Sequence, residues 1–290
     1  MNISASMVKD LRERTGAGMM DCKKALVESN GDMDKAIDYL REKGISKAAK
    51  KAERIAAEGL ANIYIKGNKA VVLELNAETD FVAKNAEFKE LLDKIGNAIL
   101  NGKVKNMDEA LALDVDGSTV NDLIVGATAK IGEKISLRRF EKVEKKKNEV
   151  FGNYLHMGGK IASLTVVEGD NEEVAKDVAM QAAAMRPLYT TIESVPEADL
   201  EHEKSVIKEQ VLNEGSKPEF ADKIVEGRIR KFYEETVLLE QAFIKESSMK
   251  VKQYLENNKC SLVKLVKYEV GEGMEKRNDN FAEEVMSQIK

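Results

Sequence analysis

The sequence predicts an α+β fold in which short helices predominate and two small antiparallel sheets are packed by helices. Apolar residues recur at helical spacing along most of the chain, whereas residues 60–75 and 154–161 alternate as β-hairpins do. The second half repeats the strand, turn, strand, helix and strand of the first half, which indicates an internal duplication. A chain of 290 residues is long enough for two or three compact units, and three prolines with no tryptophan suit a helix-rich fold.

Residues 1–44 predict three short helices, because apolar residues recur on one face of each. Thr15–Gly18 separates the first two, Asn30–Asp32 ends the second and caps the third, and Gly44 is expected to end the third. This arrangement looks like a ubiquitin-associated-type domain, which is a small protein-binding module. The lysine-rich residues 45–56 lack interleaved aromatic side chains, so a solvated linker is favoured over a nucleic-acid patch.

The first core subdomain is predicted to contain a hairpin, two helices and a further strand. Lys66–Lys69 provides the turn residues, and the return segment Val71–Leu75 is strongly apolar. The remaining predicted elements are, in order, a helix from the N-cap residues Thr79 or Asp80 to about Leu100, a helix from Ser118 or Thr119, and a strand at Ile135–Phe140.

The second core subdomain repeats this plan. Residues 154–161 match the first hairpin, Val174–Asp177 echoes Val82–Asn85, and Val263–Tyr268 echoes the last strand of the first copy. Where the first copy has Thr-Asp-Phe, the second has Asn171–Glu173. The two otherwise similar halves therefore differ at this tip.

An insertion at about residues 197–235 predicts two charged helices, each with a narrow apolar stripe, joined at Gly215–Pro218. Such a pair is typical of a projecting antiparallel coiled coil. A last helix is expected within residues 273–290, capped by Asp279. Its apolar side could pack on its own domain or bind a partner, and periodicity leaves both open.

These elements predict four parts of the chain. The charged run Lys142–Lys147 marks the boundary between the two core subdomains. The parts are, in order, the three-helix domain with its linker at 1–54, the first core subdomain at 55–141, the second core subdomain with the helical insertion at 142–272, and a C-terminal helical module at 273–290.

The composition argues against several classes of function. A net charge of −5 argues against a general polyanion binder, so we expect no direct binding of nucleic acid. No apolar run approaches the ~20 residues of a membrane span, and the N-terminus lacks a signal-peptide core, so we expect a cytoplasmic protein without a membrane partner. Two cysteines, Cys22 and Cys260, provide no disulfide framework and are expected to stay reduced.

The sequence offers no catalytic or metal-binding pattern. Neither of its two histidines, His156 and His202, is near a cysteine or serine in sequence, and His202 is expected to face solvent. The run Gly158-Gly159-Lys160 lacks the spacing of a phosphate loop and fits a hairpin turn. We therefore expect no catalytic residue, no metal ligand, no cofactor and no nucleotide bound by this chain.

Phe81 admits two interpretations. In a continuous helix it would share a buried face with Phe88, seven residues later, and core packing would be the ordinary interpretation. A helix that begins at Thr79 or Asp80 could instead present Phe81 outward at its end.

Several motifs in one order carry a family resemblance. They are Leu11–Leu26, Glu78–Asn85, Gly132–Ile135, Val225–Arg228 and Val270–Gly273. They resemble the bacterial translation elongation factor Ts family, whose members are guanine-nucleotide exchange factors for elongation factor Tu, and the resemblance extends over nearly the whole chain. The resemblance implies elongation factor Tu as protein partner and no catalytic chemistry in this chain. A ubiquitin-associated-type adaptor without exchange activity is the alternative.

The resemblance also implies site residues. Thr79, Asp80, Phe81 and Val82 correspond to the tip that the family inserts into the GTPase domain of elongation factor Tu, beside its Mg²⁺ site. The secondary contacts that it implies are Arg12, Met19, Met20, His156, Met157, Gly158 and Gly159, although Met19 and Met20 could equally be core. The departures from the family pattern are Lys160 and Ala162, where arginine and glycine are common, and Ala242, where proline is usual.

Overall fold

The computed structural model describes residues 3–15, 17–215 and 217–275. The chain forms two units, of which the first takes in residues 1–142 and 268–290 and the second residues 143–267. The predicted α+β class is confirmed, since each unit has a three-stranded sheet together with helices. The predicted domain boundaries stay predictions. No helix within the described ranges is long and apolar enough to cross a membrane.

Among its described residues, the first unit contains three N-terminal helices, a three-stranded sheet and four further helices. Its elements are, in chain order, α1 (Ala5–Thr15), α2 (Met19–Glu28), α3 (Met33–Ala49), β1 (Glu58–Lys66), β2 (Lys69–Ala77), α4 (Asp80–Lys84), α5 (Ala86–Asn101), α6 (Met107–Leu111), β3 (Asp114–Val115), β4 (Ser118–Thr119), α7 (Val120–Ile131) and β5 (Ser136–Glu144). The short elements α6, β3 and β4 have no counterpart in the sequence prediction.

The second unit contains a three-stranded sheet, a long helix against it and a helical hairpin. Its elements are, in chain order, β6 (Glu149–His156), β7 (Ile161–Glu168), α8 (Glu172–Met185), α9 (Glu197–Asn213), α10 (Pro218–Thr236), β8 (Ala242–Phe243), β9 (Glu246–Lys250), α11 (Val251–Asn257) and β10 (Ser261–Glu269), with 3₁₀ turns at Ile192–Ser194 and Leu238–Glu240.

The three predicted N-terminal helices are present. The Asp32 side chain accepts a hydrogen bond from the Lys35 N–H at 3.1 Å and so caps α3, as the sequence predicts. The prediction that Gly44 ends this helix is wrong, because α3 continues to Ala49. Gly44 is buried where α3 packs on α7, and a Cβ added to it would lie 3.6 Å from the Ala129 Cβ. That distance is an ordinary van der Waals contact, so Gly44 lies within the packed face of α3 and does not end the helix.

The helix predicted from Thr79 to about Leu100 is two helices. Asn85 adopts an extended conformation, with φ −65° and ψ 139°, and its side chain accepts a hydrogen bond from the Glu87 N–H at 2.9 Å. Asn85 therefore ends α4 and caps α5. The prediction of one continuous helix is wrong at this residue, whereas Thr79 as N-cap is confirmed.

Both three-stranded sheets have one strand order, in which the third strand lies beside the return strand of the hairpin. The order is β1-β2-β5 in the first unit and β10-β7-β6 in the second. The predicted hairpins are confirmed, with Leu60 opposite Leu75 in the first and Leu155 opposite Ala162 in the second. In both sheets the central strand is buried along most of its length. Strand β2 is buried from Ala70 to Ala77 and β7 from Ile161 to Val167.

The buried central strand β2 carries a carboxylate. Glu74 is fully buried and pairs with Arg138 at 3.0 Å and Arg139 at 2.6 Å, and it accepts the Gly271 N–H at 2.9 Å. Burial by itself raises the pKa of Glu74, but the hydrogen bonds from Gly271, Arg138, Asn76 and Arg139 together outweigh it, so the pKa is lowered. The cluster ties residues after β10 to the first sheet.

The predicted helix pair of the insertion is present as α9 and α10. Ile207 and Val211 pack against Ala221, Val225 and Ile229 in a small apolar cluster of their own. Pro218 occupies the first turn of α10, as predicted. The helix predicted within 273–290 and capped by Asp279 lies outside the described residues.

We predict that Glu74→Gln lowers the free energy of unfolding at neutral pH by about 3 kcal/mol, because the two half-buried guanidinium groups of Arg138 and Arg139 lose their charged, fully buried partner. A lowered pKa in the folded state means that the stabilisation is present above the ordinary value of 4.5 and is lost as the pH falls through the folded value. Urea denaturation at neutral pH and at acid pH measures both effects.

The difference between wild type and Glu74→Gln should therefore shrink as the pH falls. Glu90→Gln on α5 is the control, since Glu90 pairs with Lys94 on the surface and its loss should change stability little. An unchanged unfolding midpoint in Glu74→Gln at neutral pH would contradict the role of the buried cluster.

Candidate functional site

The tip, which we define as Thr79, Asp80, Phe81 and Val82, follows β2 and includes the start of the five-residue helix α4. The Phe81 side chain is 80% exposed, whereas Val82 is 9% exposed and Ala83 is buried. Helix α4 therefore packs one face into the first unit and presents Phe81 to solvent on the other. The core-packing interpretation of Phe81 is wrong.

The break at Asn85 explains why Phe81 and Phe88 have different environments. In one continuous helix, residues seven apart lie on the same face. Because α5 begins anew after Asn85, this relation does not hold, and Phe88 is fully buried in the core of the first unit while Phe81 remains outside it.

The Glu133 carboxylate holds the start of α4. It accepts hydrogen bonds from the Thr79 N–H at 3.0 Å and from the Thr79 hydroxyl at 2.7 Å. The same hydroxyl oxygen accepts the Val82 N–H at 3.4 Å, which is the N-cap bond of the helix. One carboxylate thus binds both the backbone and the side chain of the N-cap residue.

A second carboxylate joins the same two segments from the other side, because here the residue before the tip supplies the acceptor. The nearly buried Glu78 side chain accepts the Lys134 N–H at 2.6 Å and pairs with the Arg54 guanidinium at 3.3 Å. We call Glu78, Thr79, Glu133 and Lys134 the clasp. No local pattern in the sequence predicts the clasp, although Glu78 and Glu133 lie within the family motifs, because a hydrogen bond across 54 residues leaves no local signal.

Asp80 and Lys84 lie beside the ring of Phe81. The Lys84 ammonium contacts Asp80 at 2.6 Å and lies 5.9 Å from the centre of the Phe81 ring. Both charged side chains are exposed, so the ion pair contributes little to stability. The Lys84 ammonium is thus the polar group found near the exposed ring, and its exposed bond to Asp80 can rearrange at little cost.

The expected secondary contacts of the first unit lie at the surface. Arg12 is exposed on α1, and Met19 and Met20 are exposed at the start of α2, with Met20 at 76%. The alternative that these two methionines belong to the core is wrong. Flexible thioether side chains suit an adaptable binding surface.

In the second unit, the expected contacts form the hairpin turn between β6 and β7. Met157, Gly158 and Gly159 have φ values of 49°, 65° and 97°, and the Met157 side chain is 66% exposed. A left-handed conformation is unfavourable for methionine, so the turn carries strain. His156 is half-buried and stacks on Tyr154, with ring centres 6.1 Å apart.

Chemically, these surfaces offer apolar contact. Within the described ranges, no group of three or more histidine, cysteine, aspartate or glutamate side chains could hold a metal ion. His202 is exposed on α9, as predicted. A large exposed aromatic ring on a braced backbone is suited to entering an apolar cavity of another molecule.

Comparison with known protein families identifies the family of this chain. The family model described as "Elongation factor TS" matches residues 78–272 of this chain, which is more than half of its length. The matched range begins at the clasp and includes the tip, Glu133 and the turn at Met157.

We predict that Phe81→Ala changes the free energy of unfolding by less than about 0.5 kcal/mol, because the ring has little contact with its own unit. Phe88→Ala is the matched variant and should cost about 3–5 kcal/mol, because its ring is fully buried. Denaturant titration of both variants measures the difference. Equal destabilisation would contradict the exposed position of Phe81.

Proposed function

Since the chain belongs to the elongation factor Ts family, we propose that it binds GDP-bound elongation factor Tu and promotes GDP release, so that GTP can rebind during translation elongation. The observation that carries the proposal is the exposed Phe81 ring on a braced tip within the matched range. The chain acts in this proposal as a cytoplasmic protein without nucleotide, metal or catalytic chemistry of its own.

Exchange of this kind follows from thermodynamic linkage. A GTPase holds GDP through its phosphate loop, a Mg²⁺ ion and the side chains that coordinate it. A partner that binds the nucleotide-free shape best lowers nucleotide affinity by the same factor by which nucleotide lowers affinity for the partner. The partner shifts the equilibrium only by its difference in affinity for the two states.

Phe81 supplies part of that difference. We propose that its ring enters an apolar gap beside the Mg²⁺ site of elongation factor Tu and displaces residues that hold the ion. Burying one phenylalanine side chain stabilises a complex by about 1.5–3 kcal/mol, which corresponds to roughly ten- to a hundred-fold in an equilibrium constant. One ring therefore contributes much of the coupling, and the rest comes from a wider interface.

The other tip residues have distinct roles in the proposal. Thr79 sets the start of α4, and Val82 anchors the helix in the core beneath the exposed ring. Asp80 orients the tip by hydrogen bonds at the start of the helix and to the partner, when its bond to Lys84 opens.

The wider interface takes in both units. We assign Arg12, Met19 and Met20 to contacts with the GTPase domain, and the turn His156–Gly159 to another domain of the partner. The same proposal includes four further features. They are the likeness of α1–α3 to a ubiquitin-associated domain, the duplication of the core, the coiled-coil character of α9 and α10, and the C-terminal helix as a further contact with the partner. Of the three departures, Lys160 directly follows the proposed interface turn and lacks the planar fork of arginine.

We predict that Phe81→Ala slows release of labelled GDP from elongation factor Tu at least about ten-fold at subsaturating factor, because the apolar contact is lost. Stopped-flow fluorescence measures the rate. Phe220→Ala is the matched control, since Phe220 is also an exposed phenylalanine but lies on α10, and it should keep the wild-type rate. Wild-type exchange by Phe81→Ala would remove the ring from the mechanism.

We predict that Met19→Ala combined with Met20→Ala raises the factor concentration for half-maximal exchange about three- to thirty-fold, because an apolar surface is lost. The maximal rate should stay within about two-fold of wild type, because these residues do not act at the Mg²⁺ site. Val27→Ala is the control, since Val27 is exposed on the same helix. Complete loss of binding would favour the adaptor alternative, in which α1–α3 form the whole interface.

A further inference from the structure

A five-residue helix cannot maintain its own direction. Isolated helices shorter than about 12–15 residues are marginal in water, and α4 spans only Asp80–Lys84. Its N-cap bond, from the Val82 N–H to the Thr79 hydroxyl, is long at 3.4 Å. The direction of α4, and with it the position of Phe81, must therefore depend on contacts from elsewhere in the first unit.

We propose that Glu133 is a positioning residue, which fixes the direction in which Phe81 is presented to elongation factor Tu. The inference rests on the proposed function of the tip. The Glu133 carboxylate accepts both Thr79 donors, at 3.0 Å and 2.7 Å, so it restricts the backbone and the side-chain rotamer of the N-cap residue together. Hydrogen bonds to a carboxylate are shorter and stronger than neutral ones.

Glu133 is itself held on both sides. Gly132 ends α7 in a left-handed conformation with φ 93°, and its N–H donates to the Thr128 carbonyl at 3.1 Å. On the other side, the Lys134 N–H donates to Glu78 at 2.6 Å, and the buried Ile135 N–H donates to the Thr128 hydroxyl at 3.2 Å. The carboxylate is thus supported by a helix end and by the start of β5.

The corresponding helix of the second unit, α8, begins in a different way. In the second unit, Asn171 caps α8 through its own side chain, which accepts the Glu173 and Val174 N–H groups at 3.1 Å and 3.2 Å. Helix α8 is 14 residues long and packs along its sheet, and it begins without an aromatic residue like Phe81. The carboxylate brace accompanies the short helix that presents the ring.

A double-mutant cycle tests the proposal with the full chain and elongation factor Tu. Glu133→Ala and Thr79→Val are each made alone and together with Phe81→Ala, and release of labelled GDP is measured. If Glu133 acts through the ring, Glu133→Ala should slow release about three- to ten-fold alone but less than about 1.5-fold in the Phe81→Ala background. Glu133→Gln keeps one acceptor oxygen and should fall between wild type and Glu133→Ala.

Amide hydrogen exchange of the free protein separates positioning from general stability. Glu133→Ala should raise exchange at residues 80–84 and leave α5 protected, whereas a general loss of stability would raise exchange throughout the first unit. Glu87→Ala is the matched control. Glu87 also binds a distant side chain, Lys130 at 2.8 Å, whereas the Thr79 hydrogen bonds run to Glu133 and Val82. Glu87→Ala should leave amide hydrogen exchange unchanged both at residues 80–84 and in α5.

The outcomes are distinguishable. If Phe81→Ala slows release and Glu133→Ala does not, the positioning role is wrong and the proposed function stands. If Glu133→Ala slows release equally in both backgrounds, Glu133 does not act through Phe81, and the proposal is overturned. If Phe81→Ala itself has no effect, the proposed function fails and the positioning role fails with it. If Glu133→Ala fails to fold, Thr79→Val takes its place in the double-mutant cycle with Phe81→Ala.

Discussion

The hydrogen bonds between Thr79 and Glu133 are the interaction on which the functional surface depends. Without them, the five-residue helix would be held chiefly by the packing of Val82 and Ala83, and a less firmly held ring would lose more conformational entropy on entering a cavity. With them, the ring is held ready while remaining outside the core. The clasp thus connects local helix physics to the exchange function that we propose.

Two carboxylates perform comparable work in the first unit. Glu74 holds the segment after β10 against the central strand, and Glu133 holds the segment after β2 against the end of α7. In both cases a charged group joins residues far apart in sequence, where apolar packing alone would permit sliding. Directional bonds of this kind define one arrangement, although a buried charge is costly unless its partners are present.

Local patterns predicted much of the fold, including the hairpins, the caps at Asp32 and Thr79, and the paired helices of the insertion. The errors have physical causes. Gly44 resembles a helix stop, but it lies within α3, buried where that helix packs on α7. Asn85 interrupts a helical periodicity that the flanking apolar residues continue. The tip was predicted from motifs, whereas the clasp depends on tertiary contacts, which carry no local signal.

The central claim is that the Phe81 ring passes from water into the partner. Its most direct test is the fluorine resonance of 4-fluorophenylalanine placed at position 81, recorded in H₂O and D₂O. Our account predicts a solvent isotope shift in the free protein that disappears in the complex with nucleotide-free elongation factor Tu. An isotope shift that persists unchanged in the complex would mean that the ring stays in water, and would contradict the account.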